Sequence, residues 1–142
     1  MRPANLALVL LALAIAPAAA RAQDLERTLE RFAAAWARGD VDNIVAMAVD
    51  DGVMVETGDD PMGPLGRRQA AALLKRVFED RSTVSFRTDI LRQVASRPAS
   101  AFSEVVWISR AEGTRIPESR RVFLAFVNDG AGWRISQIRI LR

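Results

Sequence analysis

The sequence predicts an α+β domain in which N-terminal helices precede an antiparallel sheet of one short and four long strands. Between residues 25 and 78, apolar side chains recur every three or four residues, which is the spacing of amphipathic helices. From Ser82 onward they recur at every second residue, as in strands that bury one face. Turn-forming residues at Arg97-Pro98, Glu112-Gly113 and Asn128 to Gly130 separate the long strands, and such short connections favour antiparallel neighbours.

Three helices are predicted in the first half of the domain. The first begins at Asp24, a residue type that caps helix N-termini, and ends at Gly39. Asp40 can cap a second, shorter helix that turns Ile44 inward. A third helix begins at about Arg67 and places an apolar stripe on one side.

The strands of the sheet follow in chain order. A short strand is predicted at Val53 to Glu56, and the segment from Gly58 to Gly66, which is rich in Gly, Pro and Asp, is predicted to be a loop. Long strands begin at Ser82 and then cover about residues 101–109, 120–127 and 133–141. The run Val122 to Val127 is apolar on both faces, so we expect a cover on each face: helices on one, and sheet curvature or a second subunit on the other.

The first 22 residues have the pattern of an export signal. Arg2 supplies a positive start, Leu6 to Ala16 is apolar, and Ala20 and Ala22 are the small residues that a signal peptidase requires. The apolar run is too short for a comfortable membrane span. We therefore expect a signal peptide over residues 1–22 and a single periplasmic or secreted domain over residues 23–142, with no membrane attachment after cleavage.

Missing residue types exclude several kinds of chemistry. The chain has no His, Cys or Tyr, which excludes serine–histidine triads, thiol nucleophiles, phenolic oxyanion donors and common zinc sites. Loss of Arg2 and Arg21 with the leader would leave 18 basic residues against 17 acidic ones, so no concentrated basic surface for nucleic acid is expected. No cofactor and no catalytic set are predicted. No metal site is predicted either, because these acids lack the spacing of a calcium loop: Asp50, Asp51, Glu56, Asp59 and Asp60.

Large aromatic residues and one carboxylate are the candidates for lining a ligand pocket: Phe32, Trp36, Phe86, Glu104, Trp107, Phe123 and Trp133. Aromatic residues at such spacing more often fill a core. Glu104 stands out because it alternates with apolar residues, and beside an arginine it or Asp89 could act as a general base. The more ordinary interpretation places both acids on a solvated face, in ion pairs with arginines.

Four segments resemble the nuclear transport factor 2-like superfamily. Phe32 to Asp40 followed by Ile44 is similar to its first helix and turn, and Val53 to Glu56 to its short strand. Arg68 to Phe78 resembles its third helix, and Trp133 to Ile140 its closing strand. The resemblance covers residues 24–142 and implies a cystatin-like cone, in which a strongly bent sheet wraps around the first helix, commonly with an apolar pocket and a dimeric assembly.

Within that superfamily the chain looks most like exported bacterial families of unknown function. Ketosteroid isomerase-like members use a tyrosine with two acids, and polyketide cyclase-like members often use a histidine, and this chain has neither residue type. The Asp-Arg-Asp set of epoxide hydrolase-like members cannot be mapped onto it. No catalytic residues are carried over.

Three functions are therefore considered. The leading hypothesis is a non-enzymatic module that binds a small apolar ligand or a protein partner, and a homodimer through the outer sheet face is expected from the Val122 to Val127 run. The second is a lyase, isomerase or cyclase that uses an Asp or Glu as general base. The third is a structural interaction domain whose cone is filled by its own side chains.

Export predicts that the mature chain begins at Gln23. N-terminal sequencing of protein recovered from outside the cytoplasm should therefore read Gln-Asp-Leu. Exported material that still begins at Met1 would contradict the localisation.

Overall fold

A computed structural model of the protein describes residues 4–58 and 61–142, so Arg2, Asp59 and Asp60 lie outside the described residues. The elements are α1 (Ala4–Arg38), α2 (Val41–Ala46), β1 (Val53–Glu56), β2 (Pro61–Leu65), α3 (Arg67–Asp80), β3 (Arg81–Val94), β4 (Ala99–Ala111), β5 (Pro117–Asn128) and β6 (Trp133–Leu141).

The strands form one sheet in the order β2-β1-β6-β5-β4-β3, which is strongly curled but not closed. Register shifts interrupt the β3–β4 pairing between Thr83 and Ser85 and again between Thr88 and Ile90. Bulges of this kind bend a strand and increase its twist, so they curl the sheet towards the helices. The predicted α+β class, with a bent sheet around N-terminal helices, is confirmed.

Two features of the sheet differ from the sequence prediction. Residues 61–65, predicted to be loop, form β2 antiparallel to β1 at the edge of the sheet. An edge strand tolerates Pro61 and Pro64 because it needs hydrogen bonds on one side only. β1 also runs parallel to β6, with Val55 opposite Ile138, so the sheet is mixed rather than wholly antiparallel. This register turns Val53 and Val55 into the core, where both are buried.

The prediction that the first helix begins at Asp24 is wrong. α1 continues through this position from Ala4, and Asp24 contributes its carbonyl oxygen to a hydrogen bond from the Thr28 hydroxyl (2.8 Å). Four of the five residues from 18 to 22 are alanines, and alanine has the highest helix propensity, so the turn immediately before Asp24 continues the helix.

The predicted end of α1 and start of α2 are confirmed. Gly39 ends α1 in the left-handed region, with φ of 63°, which glycine adopts without steric cost. The Asp40 carboxylate then caps α2 by accepting hydrogen bonds from the Asn43 side chain (2.6 Å) and backbone N–H (3.3 Å). The side-chain bond from Asn43 is the main reason that the pKa of Asp40 lies below its ordinary value.

The apolar run in β5 has two different environments. Val122, Leu124 and Phe126 are buried on the concave face against the helices. Phe123 and Ala125 lie between them on the outer face and are only half-buried. The helices therefore cover one face of the run, as predicted, and no described part of the chain fully covers the other.

Candidate functional site

Aromatic side chains from α1, from α3 and from the sheet meet on the concave side of the curled sheet. Trp36 of α1 packs against Phe86 of β3, Trp107 of β4 and Phe78 of α3, with ring centroids 5.1, 5.3 and 5.0 Å apart. Phe32, one helical turn before Trp36, lies 5.5 Å from it and 5.9 Å from Phe86. We call these five residues the aromatic cluster. Its rings occupy the space between α1 and the sheet.

Polar atoms within this cluster are only partly satisfied. The Trp107 indole donates a hydrogen bond to the Thr83 hydroxyl (2.9 Å), and that hydroxyl lies 3.5 Å from the Trp36 carbonyl oxygen. The Trp36 indole nitrogen is buried, and among the described residues it has no hydrogen-bond partner. A buried donor without a partner lowers stability, so packing rather than hydrogen bonding holds this ring in place.

Trp133 lies apart from the aromatic cluster. Its indole donates to the backbone carbonyl of Arg21 in α1 (3.0 Å), and the side chain is buried. Arg21 also borders two surface depressions of about 600 Å³ each, together with Ser96, Arg97 and Ala99. Because Arg21 belongs to the expected signal peptide, cleavage after Ala22 would remove both a wall of these depressions and the hydrogen-bond partner of Trp133.

Glu104 and Phe123 lie on the outer face, opposite the cluster. The two residues face each other across the β4–β5 pairing, one residue out of phase with the buried row that contains Val105 and Val122. Of the seven predicted pocket residues, the fold brings together Phe32, Trp36, Phe86 and Trp107. Trp133 lies elsewhere on the concave side, and Glu104 and Phe123 lie on the other side of the sheet.

The two candidate general bases share one arginine. The Arg121 Nη1 atom lies 3.0 Å from the Glu104 carboxylate and 3.3 Å from that of Asp89, and all three side chains are more than one-third exposed. This arrangement matches the ordinary interpretation of ion pairs on a solvated face. Exposed pairs of this kind contribute little to stability, about 1 kcal/mol or less.

A cleft that the sequence did not indicate lies at the opposite end of the concave face. It has a volume of about 270 Å³ between α3 and the ends of β5 and β6, and it is lined by Thr57, Leu73, Arg76, Val77, Asp80, Arg81, Arg120 and Ile140. The alternation of side chains along a strand could have indicated this cleft. Arg120 and Arg121 are neighbours in β5, so one of them must face inward. Arg120 lies opposite the buried Trp107, on the concave face, and Arg121 faces outward.

Glu118 balances part of the positive charge in this cleft. Arg81 donates a hydrogen bond from Nη2 to the Glu118 carboxylate (2.7 Å), and another from Nη1 to the Ser109 hydroxyl (3.2 Å). Arg120 lies 3.7 Å from the same carboxylate. The hydrogen bond and charge of Arg81, with a smaller contribution from Arg120, hold the pKa of Glu118 below its ordinary value of 4.5. Glu118 is therefore ionised at neutral pH.

Within 4–58 and 61–142, no three Asp or Glu side chains converge in a way that could hold a metal ion. None of the helices in this part of the chain combines the length and apolar character needed to cross a bilayer.

Comparison with known proteins identifies the family. Residues 25–140 match the sequence profile of the SnoaL-like domain. The chain gives no match among curated protein sequences.

Solved structures share the fold. A DUF4783 family protein from Bacteroides uniformis has a TM-score of 0.63 and 20% identity, over 80% of this chain and 94% of that one. A domain of unknown function with a cystatin-like fold from Nostoc punctiforme has a TM-score of 0.67 and 17% identity, over 87% and 77%. A hypothetical protein with a ketosteroid isomerase-like fold from Catenulispora acidiphila, solved with trimethylamine, has a TM-score of 0.63 and 15% identity, over 81% and 84%. These likenesses show the fold alone, whereas the profile match over residues 25–140 confirms the expected superfamily.

Packing of the aromatic cluster predicts a large effect for Trp107→Ala. Removing a fully buried large aromatic should lower the free energy of unfolding by about 3–5 kcal/mol. The matched control is Ile116→Ala, because Ile116 is 77% exposed in the β4–β5 turn and should change stability by less than about 0.5 kcal/mol. Urea denaturation followed by circular dichroism measures both. Equal effects would mean that the cluster does not support the fold.

Proposed function

We propose that this chain, which belongs to the SnoaL-like domain family, is an exported module that binds rather than catalyses, and that its partner is a second copy of itself. One observation supports the proposal most: aromatic side chains fill the interior of the cone, while an apolar strip on the outer sheet face is only half-buried. This conclusion combines the leading hypothesis of partner binding with the alternative of a filled cone.

The filled interior argues against a small apolar ligand at the predicted pocket. Four of the seven predicted pocket residues pack against one another, and Phe32, Trp36 and Trp107 are fully buried. A ligand there would have to displace rings that already make close contacts. Displacing them would expose large apolar surfaces or leave voids, each of which costs free energy.

The placement of the carboxylates argues against general-base catalysis. A base must reach substrate inside a site that restricts water. Glu104 and Asp89 instead lie on the outer face, where Arg121 contacts both. This arrangement supports a binding function over the lyase, isomerase or cyclase alternative.

The outer strip has the character of an interface core. Phe102 and Phe123 stack on neighbouring strands, with ring centroids 6.0 Å apart. Half-buried aliphatic residues extend this strip along β4 and β5: Val106, Ile108, Ala125 and Val127. The Arg121–Glu104 ion pair lies within the strip, with Glu104 between Phe102 and Val106 on β4, and the Arg139–Glu56 pair (2.7 Å) borders it on the β6 side. Aromatic and arginine side chains are enriched in protein interfaces.

A second copy suits this surface because the strip can pair with itself. A twofold axis through the Phe102–Phe123 pair would bring the same aromatic rings of two copies together, as in isologous interfaces. Each copy also carries both signs of charge within and beside its strip, so acids of one copy can meet arginines of the other. Export is supported by the leader pattern of residues 1–22.

Self-association predicts that Phe123→Lys converts a dimer to a monomer without unfolding it. A lysine in the centre of the strip would bury a charge in the dimer but would remain solvated in the monomer. Sedimentation velocity at micromolar concentration should show a dimer for the unchanged protein and a monomer for the variant. Ile116→Lys, which adds the same charge in an exposed turn, should remain dimeric. Unchanged protein that stays monomeric at high micromolar concentration would contradict the proposal.

A further inference from the structure

We propose that the arginine-lined cleft between α3 and the ends of β5 and β6 binds a small amphipathic carboxylate. This site lies on the concave side of the sheet, away from the outer strip, so the inference does not depend on self-association. It rests on charge, unused hydrogen-bond donors and the apolar part of the cleft wall.

Positive charge exceeds negative charge in the cleft. Arg76, Arg81 and Arg120 line it with one acid, Asp80, and Glu118 pairs with two of the arginines at its edge. The formal charges of these five groups, three positive and two negative, leave one net positive charge. A ligand with a single negative charge would complete the balance.

Donors remain available on two of the arginines. Each guanidinium has five N–H donors in a planar fork that fits a carboxylate. Arg120 lies 3.7 Å from Glu118, too far for a hydrogen bond, and Arg76 makes no ion pair with any residue that the structure describes. Arg81 is different, because Glu118 and Ser109 already hold it in place. Arg76 and Arg120 are therefore the residues expected to contact the ligand carboxylate, with Arg81 as a fixed neighbouring charge.

Partial burial makes these charges effective. The side chains of Arg81 and Arg120 are only 13% and 24% exposed, so water screens them less than it screens a surface arginine. Arg76 lies at the exposed rim on α3, where a ligand would meet it on entry. The cleft thus has an open, charged entrance and a more sheltered charged interior.

The remaining wall is apolar. Leu73 and Val77 of α3 face the cleft on one side, and the buried Ile140 of β6 contributes on the other. A charged ligand without an apolar part would leave this wall in contact with water, whereas a ligand with a hydrocarbon tail would cover it. The volume of about 270 Å³ equals that of about nine waters in the liquid, which matches a carboxylate of about ten non-hydrogen atoms.

Sodium octanoate is a suitable probe, and isothermal titration calorimetry measures its binding. We expect saturable binding to one site per chain that weakens as NaCl is raised, because the contact is an ion pair. Octylammonium should not bind, since the cleft is positive. Acetate and inorganic phosphate should bind at least about tenfold more weakly than octanoate, because neither has a tail for the apolar wall.

Two arginines on the same helix give a matched comparison. Arg76→Gln and Arg68→Gln each remove one exposed charge from α3, but only Arg76 borders the cleft. Arg76→Gln should weaken octanoate binding about tenfold, the effect of losing one charged hydrogen bond, while Arg68→Gln should change it less than about twofold. Arg120→Gln tests the sheet side of the cleft in the same way.

Several results would overturn the proposal. These are no saturable octanoate binding, octylammonium binding as tightly as octanoate, or equal losses in Arg76→Gln and Arg68→Gln. Phosphate binding as tightly as octanoate would contradict the amphipathic ligand class. Because Arg76 is exposed and carries no packing role, correctly folded Arg76→Gln protein is expected, and circular dichroism checks it.

Discussion

The rest of the structure depends on the contact of α1 with the concave face of the sheet. Trp36 is the centre of this contact, because it touches the ring of Phe78 in α3, Phe86 in β3 and Trp107 in β4. Aromatic side chains bury about 150–250 Å² each, and a paired ring contributes about 0.5–1.5 kcal/mol beyond its area. The curl of the sheet suits this packing, because α1 contacts both β3, at one edge of the sheet, and β6, three strands away.

Because the interior is filled, the binding surfaces that we propose lie on other parts of the molecule. The protein of similar fold from Catenulispora acidiphila was solved in complex with trimethylamine. In this chain the rings of two helices and two strands occupy the interior of the cone. Two of the surfaces outside this interior are the apolar strip on the outer face of the sheet and the charged cleft at its concave end. Arg120 and Arg121, adjacent in β5, serve these two surfaces separately because strand side chains alternate between faces.

The spacing of apolar residues and the positions of turn-forming residues predicted most of the fold, because both signals act over short stretches of sequence. The change of spacing at Ser82 located the start of the long strands within one residue, and the turn at Asn128 to Gly130 separated β5 from β6. Gly39 and Asp40 located a helix end and a helix start for the same reason. β2 was missed because Pro61 and Pro64 are typical of loops, and only its position at the sheet edge makes a strand acceptable there.

The site was less predictable because it depends on which strands become neighbours. Glu104 was correctly recognised as a carboxylate in an apolar row, but sequence alternation alone does not say whether that row faces the helices or solvent. The arginine cleft joins Arg76, Arg81 and Arg120 from three elements, and no spacing in the chain relates them. The start of α1 was misplaced because Asp24 is a capping residue by type, whereas the alanine-rich segment before it continues the helix.

Hydrogen exchange of the Trp36 indole N–H tests the filled interior most directly. This donor has no partner among the described residues, so only burial within the aromatic cluster can protect it. A filled interior predicts exchange as slow as that of the hydrogen-bonded Trp107 indole, with both limited by global unfolding. Nuclear magnetic resonance can resolve the two signals. Trp36 exchanging orders of magnitude faster than Trp107 would mean that water reaches the interior and that the cone holds an open pocket.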